Sequence, residues 1–193
     1  MIHRPAHHIF LADRSIRGGI VCLTGINPHN VQEDTHLVNL LENIDTTIFR
    51  DKDYIESNHS SLHLVDVDMD QIPDSTMTIA ISLLFSSIWM TTLRNIANWL
   101  VKENDRLTAT SIELQKLDII VLESTDFITI TPPEELTSSC ISTYNDRRMV
   151  IRFFLVTVSS ILITIIDPKC THKTFLFFFN QPPKLSKPSF IPV

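Results

Sequence analysis

Glycine is nearly missing, with three in 193 residues against about 7% in average usage. A mixed fold with many turns places glycine where φ is positive, so this chain either turns on other residues or has lost glycines. Cysteine is equally thin: Cys22, Cys140 and Cys170 are odd in number, far apart and in no CxxC pair. That argues against a disulfide framework and a zinc site and fits a reducing cytosol. Basic clusters are missing too. Sixteen Lys and Arg against 22 Asp and Glu give a net charge of −6 and a pI near 5.7, without the basic face that nucleic-acid binding needs. Any bound anion is then small and locally held. His3, Arg4, His7 and His8 mark the N-terminus, but no apolar core of a secretory signal follows. Long apolar runs are absent as well. The best candidate, Phe153–Ile166, is uncharged for 14 residues, where a membrane span needs about 20. Ser159-Ser160 interrupt it and Ile161–Ile166 is rich in β-branched residues, so a buried helix followed by a buried strand is predicted. The expectation is a cytoplasmic chain with no membrane or nucleic-acid partner.

What is present is globular: 44% hydrophobic and 20% charged residues, enough for one domain or two small ones. The densest polar stretch is Asn98-Trp-Leu-Val-Lys102-Glu103-Asn-Asp-Arg106, with two cations, two carboxylates and two amides in nine residues. If the stretch is helical, Lys102 and Arg106 stand at i,i+4, a like-charge pair that costs a few tenths of a kcal/mol. An anion between them would explain that cost; solvation of both would make it trivial.

The chain also repeats itself. Asp74-Ser-Thr-Met77-Thr-Ile79 resembles Asp146-Arg-Arg-Met149-Val-Ile151 at an offset of 72, which also carries Leu83 onto Leu155. Thr91–Ile96 matches Leu162–Asp167, Ile20–Thr24 takes the corresponding place earlier, and Lys52–Ile55 pairs with Thr125–Ile128. Helices are predicted from Asp74 as N-cap, from Asn145-Asp146, over Val31–Asn43, and along the stripe Leu107, Leu114, Leu117. Strands are predicted at Asp118–Leu122 and Phe127–Thr131, the second stopped by Pro132-Pro133. The fold class is α/β, with about three repeated βαβαββ units of roughly 70 residues. Residues 1–180 form one domain whose first unit is short at its N-terminal end. Residues 181–193, with Pro182, Pro183, Pro188 and Pro192, form a Pro-rich tail, extended or disordered.

Five ordered stretches carry a resemblance: Asp66–Thr78, Thr92–Leu107, Ile128–Glu134, Thr143–Met149 and Asp167–Phe175. Together they resemble the C-terminal half of the 5-enolpyruvylshikimate-3-phosphate (EPSP) synthases, the 3-phosphoshikimate 1-carboxyvinyltransferases, from about Ile9 to Phe175. UDP-N-acetylglucosamine enolpyruvyl transferases share that fold, but Tyr144-Asn-Asp-x-Arg-Met and Asp167-Pro-Lys-Cys-Thr-x-Lys fit them less well. The resemblance implies two domains of βαβαββ units with an active site between them, of which this chain is nearly one. It implies transfer of the enolpyruvyl group of phosphoenolpyruvate to the 5-hydroxyl of shikimate 3-phosphate through a tetrahedral adduct, with no metal or cofactor. A complementary N-terminal domain would be the partner. By the same resemblance Asp74 is the general base and Glu103 handles the enol-carbon proton. Asp74, Asn98 and Lys102 bind shikimate 3-phosphate, and Arg106, Arg148 and Lys173 bind phosphoenolpyruvate. Guanidinium and ammonium groups suit its carboxylate and phosphate.

Each residue also has a plain structural reading. Asp74 would be an ordinary N-cap, Lys102, Glu103 and Arg106 a solvated helix start, Arg148 a cation placed unfavourably at a helix N-terminus, and Lys173 a loop lysine. His59 and His63 stand at i,i+4 without a third metal ligand in view. Departures from the family pattern are several. Arg147 stands for the family histidine and Leu100 for an arginine; the turn Ser87–Met90 is one residue longer and lacks glycine. Asp118 and Ser124 stand where glycine is usual, and Leu176-Phe-Phe-Phe179 replaces a more polar segment. They leave a second reading open, a non-catalytic remnant of that enzyme.

Overall fold

The computed structural model describes residues 20–24, 40, 48–50, 54–58, 66–70, 72–73, 75–85, 90–101, 105–159, 161–171 and 190–192. Its four-stranded sheet grows from alternating strands. β4 (Asp66–Asp68) lies parallel to β5 (Thr91–Arg94), β5 antiparallel to β7 (Phe127–Thr131), and β7 antiparallel to β6 (Ile120–Glu123). Val67 faces Leu93, and Leu93 faces Ile128; all three are buried with Ile130 on one side of the sheet. On the other side Thr92 and Thr129 join their hydroxyls at 2.9 Å. Period-two alternation thus assigns each residue of β5 and β7 to its face.

Parallel β4 and β5 need a crossover, and helix α1 (Thr76–Ser82) supplies part of it. All seven of its residues are buried. Its hydroxyls are satisfied locally, Thr76 Oγ1 donating to Ile72 O at 3.3 Å and Ser82 Oγ to Thr78 O at 2.8 Å. Such back-bonding lets a helix with polar residues sit inside a core. The same plan recurs downstream. β8 (Ser139–Ser142) and β9 (Ile163–Ile166) are parallel, joined through helix α3 (Arg147–Phe153) and a 3₁₀ segment, Phe154–Ser159. Helix α2 (Arg106–Gln115) lies between the two crossovers in sequence. α1 packs on α3, where buried Arg152 donates Nε to Thr78 Oγ1 at 3.1 Å.

The offset of 72 is visible in three dimensions. β5 and β9 stand that far apart, one residue off the match of Thr91 with Leu162 expected from the sequence; Leu83 and Leu155 are both buried, and each strand is followed by a positive-φ residue, Asn95 (60°) and Asp167 (53°). A third sheet, of β1 (Ile20–Thr24), β2 (Ile48–Arg50) and β3 (Tyr54–Asn58), runs β1-β3-β2, all antiparallel. That is the order and sense of β5-β7-β6. From the proline-rich tail comes β10 (Phe190–Pro192), parallel to β9; a proline suits such an edge.

Helix α2 ends as a glycine-poor chain must. Asp118 N donates to Gln115 O at 3.1 Å and Ile119 N to Leu114 O at 3.4 Å, the bond pair of a left-handed C-terminal cap. Its left-handed residue, usually glycine, is Asp118 at φ 69°. Among the described residues, those other than glycine with positive φ are Asn95, Asp118, Tyr144, Asn145 and Asp167. Four are Asn or Asp, the types that tolerate this region best.

Several expectations are corrected. The stretch from Asn98 to Arg106 is not one helix. Ala97–Val101 is 3₁₀, and Asp105, at φ −70° and ψ 89°, interrupts the path before α2 starts. Arg106 therefore opens a new helix, and Lys102, its expected i,i+4 partner, lies outside the described residues. α1 is capped at Ser75, whose side chain makes no capping bond, rather than at Asp74. Ser124 is not left-handed. The helix entering Phe153–Ile166 stops at Phe153 and continues as 3₁₀. The strands at Phe127–Thr131 and Ile20–Thr24 stand as predicted; the helix over Val31–Asn43 lies outside the described residues except for helical Leu40. His59, His63 and all of the turn Ser87–Met90 except Met90 also lie outside them. No helix among the described residues is long and apolar enough to cross a membrane.

Candidate active site

Two helix N-termini meet at one carboxylate. At the start of α2, Asp105 accepts from Thr108 N through Oδ1 (3.1 Å) and from Thr108 Oγ1 through Oδ2 (2.9 Å), an ordinary cap. That cap sets Arg106 as the first helical residue. Its Nε donates to Asp146 Oδ2 at 2.6 Å, with the two side chains only 3% and 0% exposed. The other oxygen, Asp146 Oδ1, accepts from Arg148 N at 2.8 Å and caps α3. One carboxylate thus orients the first guanidinium and starts the helix that carries the second. Arg106 is not a solvated helix start, and Arg148 is half-buried at the second position of α3.

The turn before Asp146 is unusual. Tyr144 (φ 52°) and Asn145 (φ 56°) are consecutive left-handed residues, a conformation that costs about 1–2 kcal/mol for a side chain such as tyrosine. Such strain persists only where the surroundings over-determine it, and here they do. Thr143 Oγ1 donates to Asp167 O at 3.2 Å on one side. On the other, Tyr144 Oη donates to Glu113 Oε1 at 2.8 Å. Glu113, on α2, is fully buried and also accepts from Ser142 N (3.0 Å) and from Lys116 Nζ on both oxygens (2.8 and 2.7 Å). Neither Asp146 nor Glu113 stood among the residues expected at the site. Asp146 was visible only as a helix start, and Glu113 as a polar residue on α2.

Burial first, then the bond to Glu113 and its negative charge, push the Tyr144 hydroxyl up to about 12 from 10.0. The folded state therefore favours the neutral phenol. The stability this contributes is complete below pH 10 and is lost as pH rises from 10 through about 12. Urea midpoints measured across that range should fall more steeply for the native chain than for Tyr144→Phe; equal slopes would contradict the linkage. Lysines titrate in the same window and contribute equally to both curves.

Asn98 lies in the 3₁₀ segment Ala97–Val101. Its neighbour Trp99 is buried and donates Nε1 to Pro73 O at 3.2 Å, which draws the 3₁₀ segment to the turn before α1. Asn98 Oδ1 is itself buried with no hydrogen-bond partner, a state that ordinarily costs 1–3 kcal/mol. Asp74, Lys102, Glu103 and Lys173 lie outside the described residues. Of the expected site, the structure links the Arg106 side chain and the Arg148 backbone through Asp146, and places Asn98 next in sequence to Trp99, which bonds Pro73. No group of three His, Cys, Asp or Glu among the described residues could hold a metal.

The family model for EPSP synthase (3-phosphoshikimate 1-carboxyvinyltransferase) matches residues 6–181. The chain belongs to the EPSP synthase family. Among its relatives is a 3-phosphoshikimate 1-carboxyvinyltransferase of Sodalis glossinidius (strain morsitans), 51% identical over 180 residues, which are 93% of this chain and 41% of that protein. Another, from Pectobacterium carotovorum subsp. carotovorum (strain PC1), is 48% identical over 92% of this chain and 42% of its own length. The chain therefore spans about two-fifths of these EPSP synthases. Its fold is that of an EPSP synthase from Acinetobacter baumannii (TM-score 0.76, 19% identity, 94% of this chain and 45% of that one). The enolpyruvyl transferase NikO from Streptomyces tendae is also similar (TM-score 0.67, 14% identity, 94% and 42%). Against the EPSP synthase pattern, Arg147 is exposed and Leu100 puts an apolar side chain at the surface.

Proposed function

We propose that this chain is the C-terminal part of a 3-phosphoshikimate 1-carboxyvinyltransferase of the shikimate pathway, contributing one wall of its cleft. The carrying observation is the Arg106–Asp146–Arg148 arrangement: one buried carboxylate pairs with the Arg106 guanidinium and accepts from the backbone N–H of Arg148, fixing where α3 starts. Phosphoenolpyruvate carries a carboxylate and a phosphate, and pre-oriented guanidinium groups hold such oxygens with little loss of entropy. Lys173 completes the phosphoenolpyruvate contacts. Asn98, with its unsatisfied buried oxygen, contacts shikimate 3-phosphate together with Lys102. Asp74 takes the proton of the 5-hydroxyl as its oxygen attacks C2 of phosphoenolpyruvate, while Glu103 supports protonation at C3. The tetrahedral adduct then loses phosphate and a C3 proton, leaving the enolpyruvyl ether. Residues 1–180 form the domain, built of three βαβαββ units; the offset of 72 and the recurring strand order support that count. The remaining part of the enzyme supplies the facing wall and is the partner.

A second reading is a folded remnant without turnover. Its support is Arg147, exposed at the start of α3 where the family has histidine. Titration of the chain with phosphoenolpyruvate, followed by NMR, tests the first reading. Saturable shifts at α2 and α3 are expected, with Arg148→Ala weakening binding about 10- to 100-fold, the worth of charged hydrogen bonds. Absence of saturable shifts, or an unchanged affinity in Arg148→Ala, would sink it.

A further inference from the structure

The left-handed turn ahead of Asp146 has no glycine to relax it, yet it must be held for Asp146 to reach both Arg106 and α3. What holds it is a buried carboxylate on the opposite element. We infer that Glu113 is a positioning residue for the anion site: by holding Tyr144 and Ser142 against α2, it keeps Asp146 on Arg106. The inference rests on the anion-binding reading above for its purpose, but not for its geometry.

A carboxylate has about four acceptor positions, and all four of Glu113 are used. Oε1 accepts from Tyr144 Oη and Lys116 Nζ; Oε2 accepts from Ser142 N and Lys116 Nζ. Lys116 neutralises the buried charge from the same helix, three residues on. The Tyr144 and Ser142 bonds instead cross from α2 to the strand and turn leading into α3. Arg106 stands at the other end of α2, so two links join the same two elements. One is the Arg106–Asp146 ion pair and the other the Glu113 cluster, with the Tyr144-Asn145 turn between them. Free of Glu113, Tyr144 gains by leaving the left-handed region, and that rotation carries Asp146 with it.

The geometry makes a specific demand of Glu113→Gln. An amide puts an NH₂ in place of one oxygen, and in either orientation that NH₂ faces the Lys116 ammonium, donor against donor. The cluster cannot be completed. The experiment follows the Arg106 Nε–H by ¹⁵N NMR in the ligand-free full chain, with Tyr54→Phe as background so that Tyr144 is the one tyrosine left. In Glu113→Gln, exchange of that Nε–H should quicken at least tenfold and the Tyr144 ionisation should fall below its native value. Backbone amides in β5 and β7 should keep their protection. A merely structural glutamate would loosen all of these together or none. Should Glu113→Gln not fold, Tyr144→Phe, which removes one hydroxyl from a partly exposed side chain, must give a smaller acceleration in the same direction. Unchanged Arg106 exchange in a folded Glu113→Gln, or in Tyr144→Phe, would overturn the inference. Phosphoenolpyruvate is then titrated into native chain and variant. Binding to the native chain with weaker binding to Glu113→Gln supports both readings. No binding to either, with Arg106 exchange still altered, removes the anion-site reading and leaves the positioning intact. Equal binding to both overturns the positioning role.

Discussion

Asp146→Ala should cost this chain about 3–5 kcal/mol of stability, because it leaves the Arg106 guanidinium buried without its counter-charge. It also removes the α3 cap, worth about 1 kcal/mol alone, though the two losses share an atom group and will not simply add. Whole domains are stable by only 5–15 kcal/mol, so the change takes a large fraction of the total. Arg106→Ala should be comparably costly, since it strands the carboxylate instead. The double variant should then cost far less than the sum of the singles. Urea unfolding of the four proteins provides the measurement. A loss under about 1 kcal/mol for Asp146→Ala, the range of a solvated surface pair, would show that the pair is not the buried junction described here.

Trp99→Ala should be nearly as damaging. The side chain is 1% exposed, and truncating a buried tryptophan typically costs 3–5 kcal/mol through lost burial and the cavity left behind. A second loss accompanies it: Trp99 Nε1 is the donor that ties the 3₁₀ segment to Pro73. Trp99→Phe separates the two effects, keeping most of the apolar volume and removing the bond, for about 1 kcal/mol. If Trp99→Ala were no worse than Trp99→Phe, the indole would not be filling the core as described.

These two residues mark the limits of what the sequence discloses. Strands were legible where alternation ran into a breaker: Phe127–Thr131 stops before Pro132 and stands as predicted. The α3 start was legible because Asp146 is a good cap at the right place. The internal repeat was enough to match the strands β5 and β9, though one residue out of register. The break at Asp105 was hidden because its cap lies inside an otherwise helical pattern, and only Thr108, three residues on, betrays it. Asp146 pairing with Arg106 across 40 residues, and Glu113 buried by donors up to 31 residues away, follow from no local rule. Both depend on which helices the topology sets side by side. Scarce glycine pointed to other turn residues, and the structure supplies them: Asn95, Asp118, Asn145 and Asp167, with Tyr144 as the costly exception.

On the proposed function, the chain carries one wall of an enolpyruvyl transferase cleft and needs the facing wall for chemistry. A closed cleft excludes water and fixes two anionic substrates in reacting geometry, effects that together supply several kcal/mol of the barrier reduction. The direct measurement is phosphate release from phosphoenolpyruvate and shikimate 3-phosphate, by the chain alone and by the chain mixed with the N-terminal part of a related enzyme. Release by the chain alone should be negligible, with turnover appearing on mixing and abolished by Arg148→Ala. Turnover by the chain alone would contradict that need for a facing wall, and silence in the mixture would leave the remnant as the better description.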